Sequence, residues 1–277
     1  MQIPPSFPVQ TSEGPVHRPA HRNQTQLPLQ EQTKPGAQDR LQTHHLPSEK
    51  TLTQVELWEP KDAPIQSLAE IEQLLKDVIH QSFPELKTAK IGLASLKDES
   101  VFFQSNFKPL SLFKKNKHYL IQVNPAIFQR NLPKEAAKAI LAHELSHTLD
   151  YHKGGMGGII GVGWHLISDP TCYEHRTDLQ AISRGYGKGL MAYRNWVYTQ
   201  IPAKDLEKKQ TTYYQPHEIQ ALILSLEQAQ NQGQATNLIQ SWLNDPPLQL
   251  SEITQRLEIL SSQQKHVKQK HKAGGPQ

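Results

Sequence analysis

Only one cysteine, Cys172, occurs in the 277 residues, so the chain can form no internal disulfide bond. This scarcity fits a reducing compartment, where thiols persist unpaired. Cys172 lies two residues before Glu174, and a thiolate there could bind a metal. A lone cysteine is more often a small, buried apolar residue, so we leave it out of the predicted site.

Long apolar runs are also missing, and this limits how the chain could meet a membrane. No run of about 18 apolar residues is present, so no membrane span is expected. The first residues lack the basic stretch and apolar core that form a conventional signal peptide. We therefore expect a cytoplasmic protein, or one exported by a route that reads no such signal.

Apolar residues are scarce above all at the two ends of the chain. The apolar fraction is 36% and the mean hydropathy is −0.62. Residues 1–52 are rich in Pro, Gln, His and Thr and show no apolar periodicity, so burial there could not offset chain entropy. We predict a disordered polar, proline-rich leader over 1–52, a folded domain over 53–263 and a basic flexible tail over 264–277.

A strong excess of charge of one sign is absent as well. The formal net charge is +4 and the isoelectric point is about 9.0. The lysines of the tail are typical of a solvated helix end, and no nucleic-acid-binding motif accompanies them. We therefore expect no nucleic acid among the partners of this chain.

The most informative pattern that is present is H-E-L-S-H at residues 143–147. It matches H-E-x-x-H, the zinc-peptidase pattern. Because four residues make about one helical turn, His143 and His147 project from one face and can share one ion. Glu144 is rotated about a quarter turn from His143, where it can act as the general base for a metal-activated water.

The residues around this motif favour a helix over 133–151. Pro133 suits a first helical turn, and Glu135 suits the positive end of the helix dipole. Three leucines form an i, i+4, i+8 stripe roughly opposite the histidines: Leu141, Leu145 and Leu149. One face of this helix can therefore pack on a core while the other faces a cleft.

A catalytic zinc site needs three protein ligands and one open position, so a third ligand must lie elsewhere. The extension H-E-x-x-H-x-x-G-x-x-H is excluded, because Asp150 and Lys153 occupy the glycine and third-histidine positions. Glu174 and Asp178, four residues apart, would share one face of a second helix.

Other third ligands remain open. The alternatives to Glu174 are Asp150, His165 and His175, of which His165 is the strongest. Asp150 lies on the face of the two histidines, but it sits at i+7 from His143, so it is expected beyond ligand reach.

Residues 133–184 resemble the gluzincins, zincin-type metallopeptidases in which one helix carries H-E-x-x-H and a second carries E-x-x-x-D. The resemblance implies a Zn²⁺ ion held by His143, His147 and Glu174. It also implies that Asp178 hydrogen-bonds one of the two ligand histidines, which would orient the imidazole and raise its basicity.

The same resemblance implies a zinc metalloendopeptidase, a hydrolase that acts on a protein or peptide substrate with Glu144 as general base. One residue near the third ligand would stabilise the oxyanion of the reaction. Three candidates stand close together in sequence: Tyr213, Tyr214 and His217.

The expected fold is α+β and zincin-like, with a small N-terminal sheet over the active-site helix and a mostly helical C-terminal half. Strands are predicted at 89–96, 101–107 and 118–123, and further helices at 67–80, 190–198, 218–226, 236–243 and 251–260. The glycine-rich stretch 154–158 is predicted to be the turn between two antiparallel helices. By the resemblance, His118–Val123 is expected to be the edge strand that holds the substrate.

A binding module is the alternative to an enzyme. In that case the chain would contain zinc without catalysis and would recruit a partner through its leader. A fourth protein ligand, for instance His165, would close the metal site and favour this alternative.

Overall fold

The computed structural model describes residues 62–107, 118–256, 258, 259 and 262, and for 155–168 it describes the backbone alone. The leader predicted over 1–52 and the tail predicted over 264–277 lie outside the described residues. The described fold is α+β, with a three-stranded sheet and a mostly helical remainder.

The strands are β1 (Lys90–Ser95), β2 (Phe103–Phe107) and β3 (His118–Val123). The helices are α1 (Leu68–Ser82), α2 (Ala126–Gln129), α3 (Lys134–Ser168), α4 (Pro170–Ala181), α5 (Gly187–Gln200), α6 (Ala203–Thr212), α7 (Pro216–Asn231) and α8 (Ala235–Asn244). A 3₁₀ turn covers Pro84–Leu86, a π-helical turn covers Ile182–Tyr186, and residues 250–256 are helical.

The sheet has the order β1-β3-β2, with β3 parallel to β1 and antiparallel to β2. The prediction that His118–Val123 is an edge strand is therefore wrong, since β3 is the middle strand. Its buried residues alternate with half-buried ones, as expected for a strand with one face on the core. This alternation does not reveal which strand lies in the middle, because pairing partners are set by the topology of the chain.

The long helix α3 corrects a second prediction, the turn at 154–158. The helix continues through these glycines to Ser168. Glycine costs a helix about 1 kcal/mol relative to alanine but does not block its hydrogen bonds, whereas a proline disfavours helix in the residue before it. The break comes at Asp169, which precedes Pro170 and caps α4 by accepting a hydrogen bond from Cys172 N–H.

The two larger apolar cores both include residues of α3. One joins α1, the sheet, α3 and part of α5, and the other joins α4, α5, α7 and α8. Helix α5 crosses α3 closely at Gly189, where an added Cβ would stand 2.5 Å from the Glu135 carbonyl oxygen. Among the described residues, no helix combines the length and the apolar character that a bilayer crossing demands.

Candidate metal centre

Three buried side chains from α3 and α4 converge on one point: His143, His147 and Glu174. The two Nε2 atoms are 3.2 Å apart, and Glu174 Oε2 lies 3.2 Å from His143 Nε2 and 3.3 Å from His147 Nε2. A tetrahedral zinc with bonds of about 2.0–2.1 Å holds its ligand atoms about 3.3 Å apart. The group could therefore hold a metal ion without rearrangement.

Glu174 is the least satisfied member of this group. Its Oε2 atom is buried and has no hydrogen-bond partner of good geometry among the described residues. Burial raises the pKa of Glu174, but the facing imidazoles of His147 and His143 outweigh burial and hold that pKa well below its usual range. A charged, orphaned carboxylate oxygen beside two imidazole nitrogens is the donor set that a divalent cation would complete.

His143 is oriented by a buried carboxylate behind it. Its Nδ1 atom lies 2.7 Å from Asp178 Oδ1, which leaves Nε2 to face the metal position. The same carboxylate accepts hydrogen bonds from Arg194 Nη2, at 2.8 Å to Oδ1 and 3.0 Å to Oδ2. Burial raises the pKa of Asp178, but the Arg194 charge and the His143 hydrogen bond lower it overall, so Asp178 stays ionised.

Asp178→Asn should weaken both metal binding and the fold. Zinc affinity should fall about 10- to 100-fold, because the amide orients His143 poorly. Unfolding free energy should fall by about 3–5 kcal/mol, since Arg194 would remain buried without its counter-charge. Zinc titration and chemical denaturation measure the two effects.

A matched control is Asp245→Asn, which breaks another Arg–Asp pair at 2.7 Å, to Arg256. The Asp245 side chain is 80% exposed, so this change should cost less than about 1 kcal/mol. Equal costs for the two variants would contradict a buried, orienting role for Asp178.

His147 is oriented by a phenol and a hydroxyl instead of a carboxylate. Its Nδ1 atom lies 3.0 Å from Tyr173 Oη and 3.5 Å from Thr177 Oγ1. Sequence reasoning missed Tyr173 and Arg194 as supports of the site. The sequence does contain a signal for Arg194. An arginine within the apolar stretch 190–197 is expected to be buried, and a buried arginine needs a charged partner.

The affinity for zinc should rise with pH. In the metal-free protein, burial lowers the pKa of His143. Hydrogen bonds to Asp178 and Glu174 raise the pKa by more than burial lowers it, so that it is about 9 overall. Below that pH a zinc ion must displace the proton on His143 Nε2. Competition titrations should therefore show a gain in affinity of up to about tenfold per pH unit above pH 7, with a smaller gain as the pH nears 9. An affinity that is constant over this range would contradict the placement of His143.

Glu144 lies beside the metal group without joining it. Its side chain is 5% exposed, and one carboxylate oxygen accepts a hydrogen bond from the Ser105 N–H of β2. Ser105 Oγ also lies 2.8 Å from Thr148 Oγ1, which ties β2 to α3. A small cavity is lined by both His143 and Glu144, so the carboxylate faces a space next to the metal position.

The structure separates the three oxyanion candidates. Tyr213 lines the cavity, and its ring centroid lies 6.0 Å from that of His143. Tyr214 was a wrong candidate, because it is fully buried and donates to the Pro247 carbonyl at 2.6 Å. His217 lies in the first turn of α7 and is not among the residues that line the cavity.

The structure also distinguishes between the alternative candidates for the third ligand. His175 stacks on Tyr214 with ring centroids 3.8 Å apart, and neither it nor Asp150 belongs to the metal group. The side chain of His165 lies outside the described residues. Among the side chains that are described, no fourth His, Cys, Asp or Glu joins the three.

No protein-family model, curated protein or solved structure matches this chain. A function therefore has to be assigned from the site's own geometry.

Proposed function

We propose that this chain is a zinc-dependent metallopeptidase of gluzincin type. The observation that carries the proposal is the spacing of His143, His147 and Glu174, whose three donor atoms are 3.2–3.3 Å apart. That spacing suits a tetrahedral ion with one vertex left for water or substrate. Glu144 and His143 line one small cavity, and peptide hydrolysis requires a base beside the metal-bound water.

Each step of hydrolysis has a residue positioned for it. When bound, zinc acidifies a water molecule and polarises the carbonyl of the peptide bond. Glu144 takes the proton of the attacking water and passes it to the leaving amine. Tyr213, which also lines the cavity, donates a hydrogen bond from its phenolic hydroxyl to the developing oxyanion.

Strand β2 is the proposed binding edge for the substrate backbone. The backbone N–H and C=O groups of its even-numbered residues face β3. The residue just before the strand shows this pattern, because the Phe102 carbonyl accepts a hydrogen bond from Asn124 N–H. Because bonding alternates along an antiparallel strand, the backbone groups of Phe103 and Ser105 point to the other edge. Ser105 N–H reaches Glu144 on that side, so an extended peptide added there would lie beside the base.

The experiment is hydrolysis of a peptide mixture by the purified full-length chain. The zinc-loaded protein should cleave internal peptide bonds, the chelator-treated protein should not, and added zinc should restore cleavage. Glu144→Gln should bind zinc and leave the mixture intact. Zinc binding without cleavage in the wild-type chain would contradict the proposal and favour a non-catalytic zinc protein.

A further inference from the structure

Beside the metal centre lies a cavity whose polar walls consist largely of hydrogen-bond donors. Its volume of about 30 Å³ is room for about two waters or one carboxylate group. Donor groups belong to Lys209, Tyr198 and Arg194, and apolar walls come from the sheet and from α3 and α5. Because His143 and Glu144 complete the lining, the cavity adjoins the position of the scissile bond.

Lys209 brings a positive charge to this cavity that no acid in the described residues neutralises directly. It is half-buried on α6, and none of the ion pairs in the described part of the chain includes it. Its Nζ atom lies 5.2 Å from the centroid of the Tyr213 ring. Burial, and to a smaller extent the Arg194 charge, lower the pKa of Lys209. An anion bound in the cavity would raise that pKa again.

Two further donors in the cavity lining lack partners. Tyr198 Oη and Arg194 Nε are buried and make no hydrogen bond within the described residues. Arg194 uses Nη2 for Asp178, so its Nε–H remains available. Buried donors are rarely left unsatisfied in folded proteins, so these two, together with the Lys209 ammonium in the same lining, indicate an acceptor that is missing.

The charges of the site favour an anion as this acceptor. Arg194 and Asp178 neutralise each other, and a divalent cation would be neutralised by Glu174 and Glu144. Lys209 then adds one positive charge to the cavity lining, and the remaining acid that interacts with it, Asp98, is exposed and does not line the cavity. A carboxylate has the size of the cavity, carries one negative charge and accepts hydrogen bonds on two oxygens.

We propose that this cavity binds a carboxylate of the peptide substrate next to the scissile bond, with Lys209 as the specificity-determining residue. This inference rests on the proposed peptidase function. The carboxylate belongs either to an acidic side chain or to the free C-terminus of the peptide. The first source makes the enzyme an endopeptidase selective for acidic residues, and the second makes it a carboxypeptidase.

A binding experiment tests the cavity independently of catalysis. The zinc-loaded full-length chain is titrated with N-acetylaspartate α-amide, with N-acetylalanine and with the uncharged N-acetylasparagine α-amide. One of the two carboxylates should bind about tenfold or more tightly than the uncharged amide, and which one does identifies the source. No preference for either carboxylate, or no binding of either, would overturn the proposal.

Two variants locate the binding site. Lys209→Met should lose the preference for the carboxylate, whereas Lys208→Met, which removes an exposed charge from the neighbouring position, should keep it. Tyr198→Phe removes one donor without a change of charge and should lose part of the preference. Carboxylate binding that survives Lys209→Met would place the ligand on the metal or elsewhere and would overturn the proposal.

Cleavage of matched peptides then separates this inference from the proposed function. Wild-type kcat/KM should be at least about tenfold higher for the peptide with the preferred carboxylate, and Lys209→Met should lose this ratio. If no peptide is cleaved but the carboxylate preference in binding persists, the peptidase proposal fails and the anion pocket stands. If cleavage occurs without a preference, the pocket fails and the peptidase stands.

Discussion

Glu144→Gln should abolish peptide hydrolysis and leave zinc binding intact. Loss of a general base costs about 10²- to 10⁴-fold in rate, and in the proposed mechanism the same residue also protonates the leaving amine, so the upper end of that range is expected. The amide oxygen of glutamine can still accept the hydrogen bond from Ser105 N–H, so β2 should keep its place against α3. The measurement is kcat/KM together with zinc content.

Glu135→Gln is a suitable control for this experiment. Glu135 lies in the first turn of the same helix and pairs with Lys138 at 2.6 Å, where both side chains are partly exposed. Its loss should cost less than about 1 kcal/mol of stability and should not change the rate. Undiminished turnover in Glu144→Gln, with zinc retained, would remove Glu144 from the mechanism.

Glu174→Gln should lose most of the affinity for zinc. Substitution of a residue that only supports a ligand lowers metal affinity about 10- to 100-fold. Substitution of a charged ligand itself should lower the affinity by more than that. Only His143 and His147 would remain as strong ligands, and hydrolysis should fall in proportion to the zinc lost. Zinc titration of the purified variant measures the effect.

The control for Glu174 is Glu207→Gln, which removes a carboxylate from the exposed face of α6. It should bind zinc like the wild type. If Glu174→Gln also binds zinc like the wild type, the third ligand lies elsewhere. His165 would then be the next residue to change.

Helix geometry and the resemblance to gluzincins together explain why the sequence predicted the convergence at the candidate metal centre. Residues four apart on a helix share a face, so H-E-x-x-H sets two histidines side by side, and E-x-x-x-D does the same for Glu174 and Asp178. The resemblance then implied that Glu174 is the third ligand. The apolar stripe of α3 predicts a face packed on the core, and its leucines are indeed buried, but the face that carries the histidines is buried as well. The α+β class and the three strands follow from equally local patterns.

The parts that the sequence did not predict depend on long-range packing. The pairing of Arg194 with Asp178 spans 16 residues and a π-helical turn in which Gly185 adopts a φ of 93°, a conformation that favours glycine. The order of the strands depends on which partners β3 finds in the folded chain. Local periodicity carries neither kind of information, and the cavity beside Lys209 requires both.

The measurement that tests the account most directly is an anomalous difference map at the zinc absorption edge from crystals of the zinc-loaded chain. The account predicts one ion bound by His143 Nε2, His147 Nε2 and a Glu174 oxygen at about 2.0–2.2 Å, with the fourth position held by a non-protein ligand. An ion with a fourth protein ligand, or one that leaves Glu174 unbound, would contradict it.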